Sequence, residues 1–122
     1  MCIYRLDASV AWEPQSPHDE YWHVHADMNN TAHYHYSGLL YMSNYGTDFK
    51  GGRLIFTRPD DELNLNAIEE IVEPKKGRIV LFTSGAENAH YVERVTSGQR
   101  HVLAFWFTCD PSRHFQLFLD GK

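Results

Sequence analysis

The stretch YWHVHADMNNTAHYHY, residues 21–36, carries four of the chain's eight histidines, His23, His25, His33 and His35, together with Asp27. Side chains two apart on an extended strand point the same way, so His23, His25 and Asp27 share one face while Trp22, Val24 and Ala26 share the other. Up to three metal ligands then project from one side of a single strand. An HxD spacing alone is weak evidence in a chain this rich in both residues, and His18 with Glu20 offers a similar HxE pair. Its weight comes from what lies downstream: His90 opens HYVERV after the TSGAEN turn, and ten residues on Arg100 opens RHVLAFWFT. Two histidines and one carboxylate occupy one face of an octahedral iron(II) and leave three positions open for an oxidant and a co-substrate. Arg100 suits the far carboxylate of a small diacid, because a guanidinium is always charged and offers parallel donors to two oxygens. Tyr41, sixteen residues after His25, either donates its hydroxyl to the same group or serves as a core aromatic.

Alternation and runs of β-branched or aromatic residues supply eight strands to position these groups: 2–6, 21–26, 35–42, 53–57, 68–73, 78–82, 90–95 and 100–108. EPQSP, SNYGTDFKGG, TRPDDELN, EPKKG, TSGAEN and TSGQ read as the turns between them, with Gly51 and Gly52 at a turn or a close backbone approach. Helix is expected in the tail, where Asp110 can cap and Pro111 suits the first helical position, and as a turn within 62–70. Eight short strands with little helix imply a mainly β antiparallel sandwich or jelly roll, whose mouth receives ligands. Both faces of RHVLAFWFT are largely apolar, Val102, Ala104 and Trp106 lying with Arg100 on one and Leu103, Phe105 and Phe107 on the other. Such a strand needs a cover outside as well as a core inside. The C-terminal helix, a partner subunit or further chain is expected to supply it.

The 122 residues bound the chain to one domain. A formal charge of −5 with no basic stripe excludes a nucleic-acid role, and Lys75, Lys76 and Arg78 read as a solvated turn. No apolar run approaches the roughly 20 residues of a membrane span, and MCIYRLDASV lacks the pattern of a signal peptide, so a soluble chain without an address is expected. Cys2 and Cys109 are too few for a disulfide framework and read as small buried residues.

An ordered set of motifs goes further: HAD (25–27), SGLLYMSN (37–44), GGRLIF (51–56), EPKKGRIVLF (73–82), ENAHYVERVTSGQRH (87–101) and FWF (105–107). Together, over about residues 18–109, they resemble the 2-oxoglutarate and iron(II)-dependent oxygenases, in the prolyl 4-hydroxylase-like branch. The resemblance implies a double-stranded β-helix, in agreement with the eight strands and short C-terminal helix read above. Relatives carry covering helices before the first strand, whereas only about 20 residues precede the HxD strand here, so few or no such helices are expected, as in an N-terminally truncated form. It implies iron(II) held by His25, Asp27 and His90, and 2-oxoglutarate anchored by Arg100 with help from Tyr41. The expected reaction is hydroxylation of an unidentified substrate, a protein side chain being one expectation, coupled to decarboxylation of 2-oxoglutarate to succinate. Molecular oxygen is the other co-substrate, and L-ascorbate is expected as in related hydroxylases. The relatives it most resembles are membrane-anchored by segments not found in this sequence, so the compartment stays open.

His23, His33, His35 and Trp106 are left to support the ligands or line the substrate mouth, with packing beside the co-substrate the simplest role for Trp106. Two rival readings stand beside this one. A cupin-type site would use His23, His25 and His90, which explains His23 but leaves Arg100 and Tyr41 idle. A catalytically silent domain would keep the fold for protein binding, and self-association through the outer face of the larger sheet would answer the exposure of Leu103, Phe105 and Phe107.

Overall fold

Alternation along the chain becomes two antiparallel sheets in the computed structural model, which describes residues 2–9, 21–58 and 67–113. Strand β1 is Cys2–Asp7, β2 Tyr36–Tyr41, β3 Phe49–Gly51, β4 Leu54–Arg58, β5 Ala67–Val72, β6 Ile79–Thr83, β7 His90–Val92 and β8 Val95–Phe107. The larger sheet runs β1-β8-β2-β6 with β3 also paired to β8, and the smaller runs β5-β4-β7. This non-sequential antiparallel order is the jelly-roll form of the double-stranded β-helix. Among the described residues no helix is long and apolar enough to cross a membrane.

Register decides which side chains meet. Ser37, Leu39 and Tyr41 on β2 oppose Trp106, Ala104 and Val102 on β8, and this face looks inward. Tyr41, Val102 and Ala104 are buried there, with Leu54 and Ile55 of β4. Tyr36, Gly38 and Leu40 oppose Phe107, Phe105 and Leu103 on the outer face, which β1 and β6 extend with Ile3, Ile79 and Leu81. Ile3 at 71% exposure, Leu81 at 64% and Phe107 at 52% remain open to solvent, as the two-faced apolar pattern of the last strand implies.

The expected strand over 21–26 does not form. Tyr21 O accepts from Val92 N, and His25 exchanges both backbone hydrogen bonds with His90, each at 2.9 Å, so four residue steps on one side meet two on the other. The surplus residues bulge, leaving His25 in an isolated bridge and His23 exposed. Extended backbone resumes at Ala26, and Asp27 opens a single helical turn, α1, Asp27–Asn30.

TSGQ is not a turn either. It lies within β8, pairing with β3, a strand that arises inside the expected SNYGTDFKGG loop. Gly98 allows the crossing: at φ 72 a Cβ would sit 2.0 Å from Asp48 O, so glycine marks close backbone approach here. Cys109, expected buried, is exposed. Of the expected tail helix, Pro111–Arg113 forms a 3-10 turn with Asp110 accepting from Ser112 N, and 114–122 lie outside the described residues, as do 10–20 and most of the expected turn at 62–70.

Candidate active site

The three residues nominated as ligands reach one point from three local structures. His25 stands on the isolated bridge, Asp27 two residues on at the start of α1, and His90 opens β7 directly across the bridge. One ligand atom from each lies within 4.8 Å of the others, an arrangement able to hold a metal ion. Nε2 of His25 is 3.4 Å from Asp27 Oδ1 and Nε2 of His90 is 3.6 Å from the same oxygen.

Backbone carbonyls orient both rings. Nδ1 of His25 donates to His23 O and Nδ1 of His90 to Asn88 O, each at 2.8 Å. A carbonyl can only accept, so the proton of each neutral imidazole sits on Nδ1 and the Nε2 lone pair faces the site. On the far side of the carboxylate, Asp27 Oδ2 accepts the Ser37 hydroxyl at 2.5 Å and the Trp106 indole N–H at 3.0 Å. Burial works against the Asp27 charge, but hydrogen bonds from His25, Ser37 and Trp106 and the field of His90 prevail and hold its pKa well below the usual carboxylate range.

Protonation differs between the histidines. The Asp27 hydrogen bond outweighs burial and raises the His25 pKa. Burial lowers that of His90, whose ring is flanked by Phe82 at 5.0 Å and Phe56 at 5.8 Å.

The triad opens on a cavity of about 290 Å³ whose lining includes Tyr21, His25, Asp27, His90, Arg100 and Trp106. Arg100 is 2% exposed and its Nε donates to Gly52 O at 2.9 Å. Among the described residues its Nη2 is buried without a hydrogen-bond partner, and the Tyr41 hydroxyl is buried likewise. Tyr41 lies behind the guanidinium, ring centroid 5.5 Å from Arg100 Cζ. Burial lowers the Arg100 pKa and raises that of Tyr41. Among the described residues no carboxylate pairs with Arg100, and a buried guanidinium in that condition is a place built for an anion. Unsatisfied donors on Arg100 and Tyr41 fit the far carboxylate of 2-oxoglutarate.

The other nominated histidines stand apart from the metal-holding group. His23 is exposed and offers it only a backbone carbonyl, so the cupin-type trio of His23, His25 and His90 is not what the chain assembles; Asp27 takes the third place. His33 packs edge-on against Tyr34, which stacks on Trp106 at 5.2 Å, and Nδ1 of His35 accepts from Cys109 N. Of the two roles open to Trp106, packing and support of a ligand, the geometry shows the second, its indole N–H donating to Asp27. Ser37, Ser84 and the Gly52 carbonyl were not foreseen; a serine on the inward, buried face of an apolar strand was the available signal for Ser37.

Fold and site define a jelly-roll protein with two histidines and one carboxylate able to hold a metal and a buried arginine lining the same cavity. The chain belongs to the 2OG-Fe(II) oxygenase superfamily, whose family model matches residues 13–108. It is 43% identical over 99 residues to the 2-oxoglutarate and iron-dependent oxygenase domain-containing protein 3 of Rattus norvegicus, covering 81% of this chain and 29% of that protein. It is 49% identical over 76 residues to prolyl 3-hydroxylase 2 of Gallus gallus, covering 62% of this chain and 10% of that protein. The chain thus spans under a third of the length of these curated relatives. A crystal structure of an oxidoreductase of the 2OG-Fe(II) oxygenase family from Burkholderia pseudomallei shares the fold, with a TM-score of 0.52 at 16% identity over 70% of this chain and 35% of that one. The family implies iron(II), with 2-oxoglutarate and molecular oxygen as co-substrates.

Proposed function

We propose that the chain is one oxygenase domain in which His25, Asp27 and His90 hold iron(II) while Arg100, with Tyr41, holds the far carboxylate of 2-oxoglutarate. The observation that carries this reading is the pair of buried, unpartnered donors, Arg100 Nη2 and Tyr41 Oη, in a chain whose metal-capable triad lines the same cavity as Arg100. When bound, iron(II) and 2-oxoglutarate supply the oxidising chemistry, one oxygen atom leaving in succinate formed with carbon dioxide and the other entering a substrate C–H bond as hydroxyl. The protein's residues orient and enclose. Nδ1 anchoring fixes each imidazole, Arg100 sets the depth at which a diacid stops, and the Phe56 and Phe82 rings keep the His90 side dry.

A protein side chain is the substrate class we favour, and the name of the chicken relative, which speaks of prolyl groups, supports it. L-ascorbate, expected from the resemblance to related hydroxylases, would be the accompanying reductant. The apolar outer face of the larger sheet, open at Ile3, Ile79, Leu81 and Phe107, is read as a surface of self-association.

Succinate release by the pure chain, with iron(II), ascorbate and candidate peptides, tests the reading. Turnover should vanish in Asp27→Ala and in Arg100→Met but survive His23→Ala. Bound iron without succinate from any source of substrate, or uncoupled, would establish the silent-domain reading in its place.

A further inference from the structure

The two oxygens of Asp27 have unlike surroundings. Oδ1 faces the two Nε2 atoms at 3.4 and 3.6 Å, whereas Oδ2 is occupied by the Ser37 hydroxyl and the Trp106 indole N–H. Ser37 has one hydroxyl proton, and a carboxylate only accepts, so that proton is committed to Asp27. The 2.7 Å contact between the Ser37 and Ser84 hydroxyls must then have Ser84 as donor. A directed line results, Ser84 to Ser37 to Asp27, in which each hydrogen bond polarises the next. Ser37 at 2% and Ser84 at 1% exposure place it beyond competition from solvent.

Trp106 closes the other side. It opposes Ser37 across the β2–β8 register, so one pair of facing residues supplies both donors. Its ring plane is fixed by Tyr34, stacked with an interplanar angle of 13°.

We propose that Ser37, Ser84 and Trp106 are positioning residues that hold Asp27 as a one-oxygen ligand, keeping free a metal position that its second oxygen would otherwise take. The proposal rests on the reading of His25, Asp27 and His90 as metal ligands. With both accepting directions of Oδ2 used by protein donors, only Oδ1 is available to a metal. Freed of them, the carboxylate can turn and bind through both oxygens, as carboxylates do on hard cations. A co-substrate that chelates through two atoms then competes with the protein's own ligand.

Cobalt(II) provides a spectroscopic test on the full chain. Trp106→Phe keeps the ring against Tyr34 and removes only the N–H; Ser37→Ala removes the hydroxyl with little change in volume. Both variants, verified as folded by circular dichroism, should bind cobalt(II) with an altered ligand-field absorption spectrum. Affinity of the cobalt(II)-loaded chain for 2-oxoglutarate, read by calorimetry, should fall about tenfold or more in each and further in the double variant. A wild-type spectrum and wild-type 2-oxoglutarate affinity in both folded variants overturn the proposal. Wild-type protein that binds cobalt(II) no better than His90→Ala instead overturns the ligand assignment beneath it, so the two failures are told apart.

Discussion

His25 and His90 share Asp27, yet their surroundings separate their protonation. In the metal-free protein a proton settles on His25, raised by the Asp27 hydrogen bond above 6.5, before it settles on His90, lowered by burial. A pKa raised on folding means that the His25 proton contributes stability in full below the unfolded value of 6.5, and that this contribution is lost as pH rises through the folded pKa. An entering metal must displace that proton. Divalent-metal affinity should therefore weaken as pH falls through a midpoint above 6.5, and Asp27→Asn should bring His25 back toward 6.5 in an NMR titration. His25 titrating below 6.5 in the metal-free wild type would contradict this account. Arg100 raises a different question, since a buried cation without a counter-ion costs stability. Arg100→Met should leave the melting temperature of the metal-free chain unchanged or higher. It should also weaken 2-oxoglutarate binding to the manganese(II)-loaded chain by ~2–5 kcal/mol. A variant that loses stability but keeps its affinity would show Arg100 to be a packing residue.

At the scale of elements, the loop before β4 decides whether Arg100 can lie where it does. Gly52 has φ 68, and a Cβ there would sit 2.9 Å from Arg100 Cδ and 3.0 Å from the Phe49 ring. Gly52→Ala should cost ~1–3 kcal/mol in urea unfolding for the left-handed backbone. It should weaken 2-oxoglutarate affinity as well, because the arginine stem must move; destabilisation with unchanged affinity would separate the loop from the anchor. The regular strands were legible because each carries its own alternation: β2, β4 and β6 fall within a residue or two of where the pattern puts them. The bulge before His25 was not, because it depends on how Tyr21 and His25 meet β7, a register set by a partner 65 residues away. Glycine misled in TSGQ, where the sheet needs close approach and the same residue also signals turns. Asp27 nonetheless arrived beside His25, since extended backbone at Ala26 keeps the local two-residue repeat intact.

For the whole molecule, the order of HxD, His90 and Arg100 was readable because the jelly roll fixes which strands adjoin the cavity. The support of Asp27 by Ser37 and Trp106 was not, since it exists only in the pairing of β2 with β8. The same pairing creates the outer apolar face, where Leu103, Phe105 and Phe107 of β8 adjoin Leu81 and Ile79 of β6 across β2. Burying one such side chain fully is worth about 1.5–3 kcal/mol, so several left open by one sheet favour association of the isolated chain. Sedimentation velocity should show the chain's mass rising with concentration. Leu81→Asp with Phe107→Asp should return it to a monomer, because two charges would then be desolvated in each copy. The face lies across the sheet from the triad, so cobalt(II) affinity of the double variant should match the wild type. A concentration-independent monomer from the unaltered chain would remove self-association, and a variant that loses metal binding with its oligomer would instead tie assembly to the integrity of the site.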